Sequence, residues 1–148
     1  MDSRDPFDLQ RFVRAQNSVW RQVVRELRQG RKQTHWMWFV FPQVQGLGRS
    51  AVAEQYAIRS MEEAEAYLAH TVLGSRLQEC VQLTLAVKGR SAGELFGYPD
   101  ELKFRSCLTL FRETVGENSL FTHALDRYFS GRGDWLTVDI IKRWRNRV

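Results

Sequence analysis

Lys103 is the residue most at odds with its surroundings. On a helix turning about 100° per residue, Phe104, Cys107, Leu108, Leu110 and Phe111 share one arc, while Arg105, Thr109, Arg112 and Glu113 fall on the other. Lys103 projects into the apolar arc, between Leu110 and Cys107. An ammonium group there must reach out to solvent, pair with a carboxylate or serve a buried site. Asp100 lies three residues before it and Ser106 three after, so both neighbour it on the helix surface. Together, Asp100, Lys103 and Ser106 could hold an anion or a ribose hydroxyl.

The second candidate is the run His35-Trp36-Met37-Trp38-Phe39-Val40-Phe41-Pro42-Gln43. Its rings are core material by default, but indoles also stack on planar ligands such as nucleobases. Trp36 and Trp38 are therefore candidate ligand-binding residues, Gln43 a polar contact and His35 a proton carrier. The run lacks polar alternation and ends in proline, so it reads as a short, fully buried extended piece. Eight extended steps of about 3.3 Å would hold His35 and Gln43 roughly 26 Å apart, so each is judged separately unless the chain folds back at Phe41-Pro42. Asp134 is a helix cap by default and a catalytic carboxylate if it faces a cleft.

Around these residues the pattern is helical. Asp8 can cap a helix carrying Leu9, Phe12 and Val13, and Asn17 or Ser18 a second one carrying Val19, Trp20, Val23, Val24 and Leu27. Gly30 stands where a C-terminal glycine belongs. Ser50 can start a short helix, Ser60 and Ser91 each begin a capping box with Glu63 and Glu94, and apolar spacing extends a helix from Leu73 to Val87. Pro99 suits the first turn of the Lys103 helix, Asn118 or Ser119 opens another, and Asp134 a last one. The expected fold is mainly α: a single compact domain of about seven helices over residues 1–141, with one short buried extended segment and a basic tail at 142–148.

Composition narrows the classes of function. The chain has 148 residues, 43% hydrophobic, 12% aromatic and 26% charged, a folded composition and one domain's length. The longest uncharged run, Gln33 to Gly48, is too short to span a bilayer, so no membrane partner is expected. The N-terminus lacks a hydrophobic signal core, and Cys80 and Cys107 both fall in helical patterns, which points to free thiols in a cytoplasmic protein. The net charge is +5, but without the last seven residues it is +1, from 18 bases against 17 acids. A second bias runs from Met1 to Lys32, where eight bases face four acids. It reads as a solvated helix face before it reads as a phosphate-binding stripe.

Several chemistries find no residues. His35, His70 and His123 are far apart in sequence, no Cys or His pair has zinc-ligand spacing, and neither a metal nor a cofactor is called for. No GxSxG elbow, P-loop or GxGxxG occurs. Cys107, among Leu and Phe, reads as an inert buried thiol.

The segments DPFDLQRFVRAQ, HWMWFVFPQ, EAEAYLAHTVLGSRL, DELKFRSCLTLF and YFSGRGDWLT resemble an uncharacterised bacterial family to which the name calpastatin is often attached. The likeness covers about residues 5 to 141, with Leu108 where the family usually has Met, and implies a compact, mostly helical, cytoplasmic protein. A calpastatin-type inhibitor would be flexible, repetitive and poor in aromatics, whereas this chain has five Trp, nine Phe and helix caps. More distantly, the helical order resembles the NADAR-type fold, whose members cleave N-glycosidic bonds in ADP-ribose-like or riboflavin-pathway compounds. No catalytic residue carries over from that likeness.

The expectation that follows is a pocket for a nucleotide-like or ribosyl small molecule, with N-glycosidic bond hydrolysis as its candidate reaction. Trp36 or Trp38 would stack the base, Lys103 would hold an anionic group, and His35 or Asp134 would handle the proton. The alternative is a non-catalytic nucleic-acid or protein-binding module using the basic N-terminal helix and tail, with nucleic acid the less favoured partner. Oligomeric state is not legible.

Overall fold

The computed structural model describes residues 4–146. Among them run ten helices: α1 (Gln10–Asn17), α2 (Trp20–Gln29), α3 (Met37–Val40), α4 (Ala51–Gln55), α5 (Met61–Ala69), α6 (Leu73–Ala86), α7 (Ala92–Phe96), α8 (Asp100–Val115), α9 (Leu120–Phe129) and α10 (Trp135–Arg145). The helix count exceeds the seven or so expected; α3, α4 and α7 have five residues or fewer, and of these α4 and α7 begin at Ser50 and Ser91, which the sequence marks, while α3 falls in the aromatic block.

Most starts follow the caps visible in the sequence. Ser50, Ser60, Ser91, Ser119 and Asp134 each accept a hydrogen bond from the backbone N–H three residues on. Ser91 and Glu94 form a reciprocal capping box. At Ser60, Glu63 turns instead to the Arg59 N–H and to the Arg11 guanidinium, 2.9 Å away. The first two helices depart from expectation. Asp8 sits at φ 51°, and the Asp5 carboxylate accepts from the Leu9 and Gln10 N–H groups in its place. Helix α2 begins at Trp20, and the residue before it, Val19, offers no side-chain cap. Its end is as expected: Gly30, at φ 73°, closes it in the left-handed conformation, where a Cβ would also meet Val87 Cγ1 at 2.9 Å.

The expected extended segment is a helical turn, α3, packed against α1 and α8. A short apolar run covered all round has no exposed face to betray its period, so strand and buried helix look alike in sequence. Pro42 ends the turn. Among the described residues the β structure amounts to an isolated parallel bridge between Val44 and Ile58.

Helix α8 is the axle, packing on α3, α5, α7, α9 and α10, with every residue from Ser106 to Phe111 buried. Thr109, which helix projection assigns to the polar arc, is therefore interior as well. Phe104 meets Phe41 at 5.1 Å and Phe96 at 4.5 Å between ring centroids, while α2 rests on α6. Helix α10 continues to Arg145, so Lys142, Arg143 and Arg145 are helical and Trp144 packs against the core. Arg147 and Val148 of the basic tail lie outside the described residues. Among the described residues no helix is long and apolar enough to cross a membrane.

Candidate functional site

Four stretches of chain meet at a cleft of about 270 Å³. Helix α3 contributes Trp38, and the loop after it Gln43, Leu47 and Gly48. Ala53 of α4 forms one wall, Pro99 and the start of α8 bring Leu102, Lys103 and Ser106, and the start of α10 adds Asp134 and Leu136. Five of the eight residues singled out in the sequence thus line one concavity: Trp38, Gln43, Lys103, Ser106 and Asp134. The apolar walls do not end at its mouth, for Leu102 and Leu136 are exposed, as are Tyr98 and Trp135 beside it in the chain.

Asp100 does not line the cleft but pairs with Lys103, which does. One carboxylate oxygen lies 3.2 Å from Lys103 Nζ and the other 2.7 Å from Lys32 Nζ. Each ammonium also faces an indole: Lys103 lies 4.8 Å from the Trp38 ring centroid and Lys32 5.2 Å from that of Trp36. Trp36, Lys32, Asp100, Lys103 and Trp38 therefore form one alternating array. It answers how an amine is tolerated on the apolar arc of α8: a carboxylate one turn away and an aromatic face hold it. Lys32 has the more buried side chain of the two, 6% exposed, and sequence reasoning missed it because Arg31-Lys32 after Gly30 reads as an ordinary solvated turn.

Asp134 is held from two sides. Its Oδ2 accepts from the Thr137 N–H at 3.0 Å and the Thr137 hydroxyl at 2.6 Å, as an N-cap should. Its own N–H donates to Thr109 Oγ1 at 2.9 Å, while the Arg105 guanidinium donates to the carbonyls of Arg132 and Gly133. Packing at Gly133 is tight: a Cβ there would stand 2.7 Å from the end of the Arg112 guanidinium and 3.1 Å from Thr109, so both side chains would have to shift. Thr109 and Arg105 thus position Asp134 although neither suggests a site in sequence. Ser106 donates to the Leu102 carbonyl at 3.0 Å, the local bond of a mid-helix serine, and its oxygen remains an acceptor.

Trp36 and His35 are not part of the cleft. Trp36 is 1% exposed, and its Nε1 donates to Glu26 Oε1 at 3.0 Å. Glu26, equally buried, also accepts from the N–H groups of Gln33 and Thr34, the Thr34 hydroxyl and the Gln22 amide. Burial pushes the Glu26 pKa up, but these donors outweigh it and hold the carboxyl at about 2. An indole built into such a network has no face for a ligand, so base stacking falls to Trp38. His35 is exposed and lines no wall of the cleft, so Asp134 is the proton-handling candidate left inside it.

Other nucleophiles are closed off. Cys80 and Cys107 are free and buried, and burial raises both thiols well above their ordinary range. Among the described residues no three His, Cys, Asp or Glu side chains gather as a metal site would need.

Comparison with known proteins agrees with the whole-chain packing. The crystal structure of the conserved hypothetical protein Rv1873 from Mycobacterium tuberculosis, at 1.38 Å, superposes with a TM-score of 0.91 at 54% identity, covering 93% of this chain and 99% of that one. Among curated proteins nothing matches. The family model described as "Protein of unknown function (DUF1810)" matches residues 6–141, from the loop before α1 into α10 and across every segment that lines the cleft, and the chain belongs to that family.

Proposed function

We propose that the cleft binds a nucleotide-like or ribosyl small molecule and that its chemistry is hydrolysis of an N-glycosidic bond. The observation that carries this reading is the convergence of Trp38, Gln43, Lys103, Ser106 and Asp134 on one small concavity with otherwise apolar walls. A few polar groups set among apolar walls are the usual make-up of a small-molecule site. The volume suits one sugar with a phosphate or a base. Trp38 offers an indole for the planar part, Lys103 a cation for the anionic part, and Gln43 and Ser106 hydrogen bonds for hydroxyls. When the C–N bond breaks, the base leaves with its electron pair and positive charge develops on the sugar. The Asp134 carboxylate can stabilise that charge and take a proton from the water whose oxygen bonds to the anomeric carbon, and the released base takes up that proton. The reaction class is suggested by the resemblance of the sequence's helical order to NADAR-type enzymes, an analogy from which no catalytic residue carries over.

Thermal denaturation with ribose 5-phosphate, AMP, pyrimidine nucleotides, NAD and ADP-ribose tests the reading. A ligand at a hundred times its Kd should add about 2.7 kcal/mol of stability. Lys103→Met should remove the shift for phosphorylated ligands. Asp134→Asn, which preserves the helix cap, should bind yet release no free base. No shift with any of these compounds, together with an unchanged response of Lys103→Met, would reject the assignment.

A further inference from the structure

We infer that the exposed face of α2, together with Arg76 of α6, is a contact surface for the phosphodiester backbone of nucleic acid, independent of the cleft. Arg21, Arg25 and Arg28 stand at i, i+4 and i+7 within an arc of about 60°, along roughly 10 Å of helix. All three are exposed, and they border a groove of about 530 Å³ between α2 and α6 whose floor is Trp20 and Val24. Arg76 borders the next groove, of about 460 Å³, beyond the same Trp20.

None of these four arginines has an ion-pair partner among the described residues. Their hydrogen-bond acceptors are neutral: Arg25 donates to the Gln22 side chain, and Arg76 to Gln16 Oε1 and Asn17 Oδ1. Those two bonds hold the Arg76 guanidinium 4.8 Å from the Trp20 ring centroid, already ordered for a contact. Glu79 is the one acid lining either groove, and it pairs with none of them.

The arrangement runs against what helix stability favours. Like charges at i and i+4 repel, and a cation in the first turn opposes the macrodipole. Arg21 occupies that turn, where no acid and no side-chain cap offsets it. Arg28, in the last turn, is the member that the dipole explains. Uncompensated guanidinium groups in a row match a regular line of phosphates, which arginine binds in bidentate fashion. Each strand of a duplex presents a phosphate about every 3.4 Å of helix axis, so the stripe laid parallel to that axis spans about three.

The basic end of α10 is built differently. Arg143 pairs with Asp139 at 2.8 Å, and Arg145 approaches Glu113 at 3.8 Å. Lys142 has no ion pair among the described residues, so the α10 end offers a single uncompensated cation where the α2 face and Arg76 offer four.

Fluorescence anisotropy of the full chain with a labelled 20-mer, single-stranded and duplex, between 50 and 200 mM NaCl is the test. Binding should weaken with salt at a log–log slope of about 3 to 4. The triple change Arg21→Gln, Arg25→Gln and Arg28→Gln should cost at least tenfold at 50 mM and lower the slope by about three. A charge-matched control, Lys142→Gln, Arg143→Gln and Arg145→Gln, should stay within about twofold of the parent. If the triple variant does not fold, Arg25→Gln alone should lower the slope by about one. The inference is overturned if the parent does not bind at 50 mM salt or if the control loses as much as the triple variant. Equal competition by polyglutamate or by phosphatidylserine vesicles at matched charge would also overturn it. Loss of nucleotide response in Lys103→Met, by contrast, bears on the cleft alone.

Discussion

Trp36 and Trp38 are two residues apart on the same short helical segment, and their environments are opposite. Trp36 is sealed in the interior with its indole N–H on Glu26, a carboxylate saturated by five donors. Trp38 is half-buried at the cleft, beneath the ammonium of Lys103, which shares Asp100 with Lys32. Both carboxylates hold an element of the aromatic block in place, but Glu26 has neutral partners and Asp100 cationic ones. A carboxylate satisfied by amides and hydroxyls fixes structure. One shared between two ammonium groups leaves a cation at the surface for an anion to use.

Truncating each indole tests this contrast most strongly. Trp36→Ala should cost about 3–5 kcal/mol, read by urea denaturation, because it opens a core cavity and leaves Glu26 short of a donor. Trp38→Ala should cost about 1 kcal/mol and act on ligand binding instead. Equal losses of stability would erase the distinction.

Next in size is Glu26→Gln, expected to cost about 2–3 kcal/mol, since an amide offers one acceptor oxygen and turns its NH₂ towards existing donors. The parent's acid response follows from the same group. Its folded pKa, about 2, lies below the ordinary value of 4.5, so its stabilisation is complete above about pH 4.5 and is lost as pH falls towards 2. The amount is on the order of 3 kcal/mol. In Glu26→Gln that part of the acid limb should vanish from the stability–pH profile. The smallest effect concerns Cys80 and Cys107, which should react with a thiol reagent only after unfolding, because burial keeps both protonated.

Legibility in the sequence tracked how local the physics is. Ser50, Ser60, Ser91, Ser119 and Asp134 are N-caps that satisfy donors within their own first turn, so type and spacing suffice to find them. Asp5 serves α1 in place of Asp8 because loop geometry decides which of two nearby carboxylates points at the free N–H groups. Lys103, an ammonium among apolar neighbours, is conspicuous from the helix wheel alone, and so is its partner one turn away. Lys32, Thr109 and Arg105 are not, since each acts on a residue 25 to 68 positions distant: Lys32 on Asp100, Thr109 on Asp134, and Arg105 on the Arg132 and Gly133 carbonyls.

The sequence by itself determined a mainly helical chain, most of its helix starts, the left-handed glycine that ends α2, and a charged residue misplaced on the face of α8. All of these rest on interactions within a few residues, where spacing is geometry. Tertiary structure alone decided that the aromatic block is a helical turn, that Trp36 faces Glu26 while Trp38 faces a cleft, and that the α10 arginines find carboxylates while those of α2 do not. Those outcomes depend on which distant surfaces close around a side chain, and burial and partner choice are set by packing rather than by order along the chain.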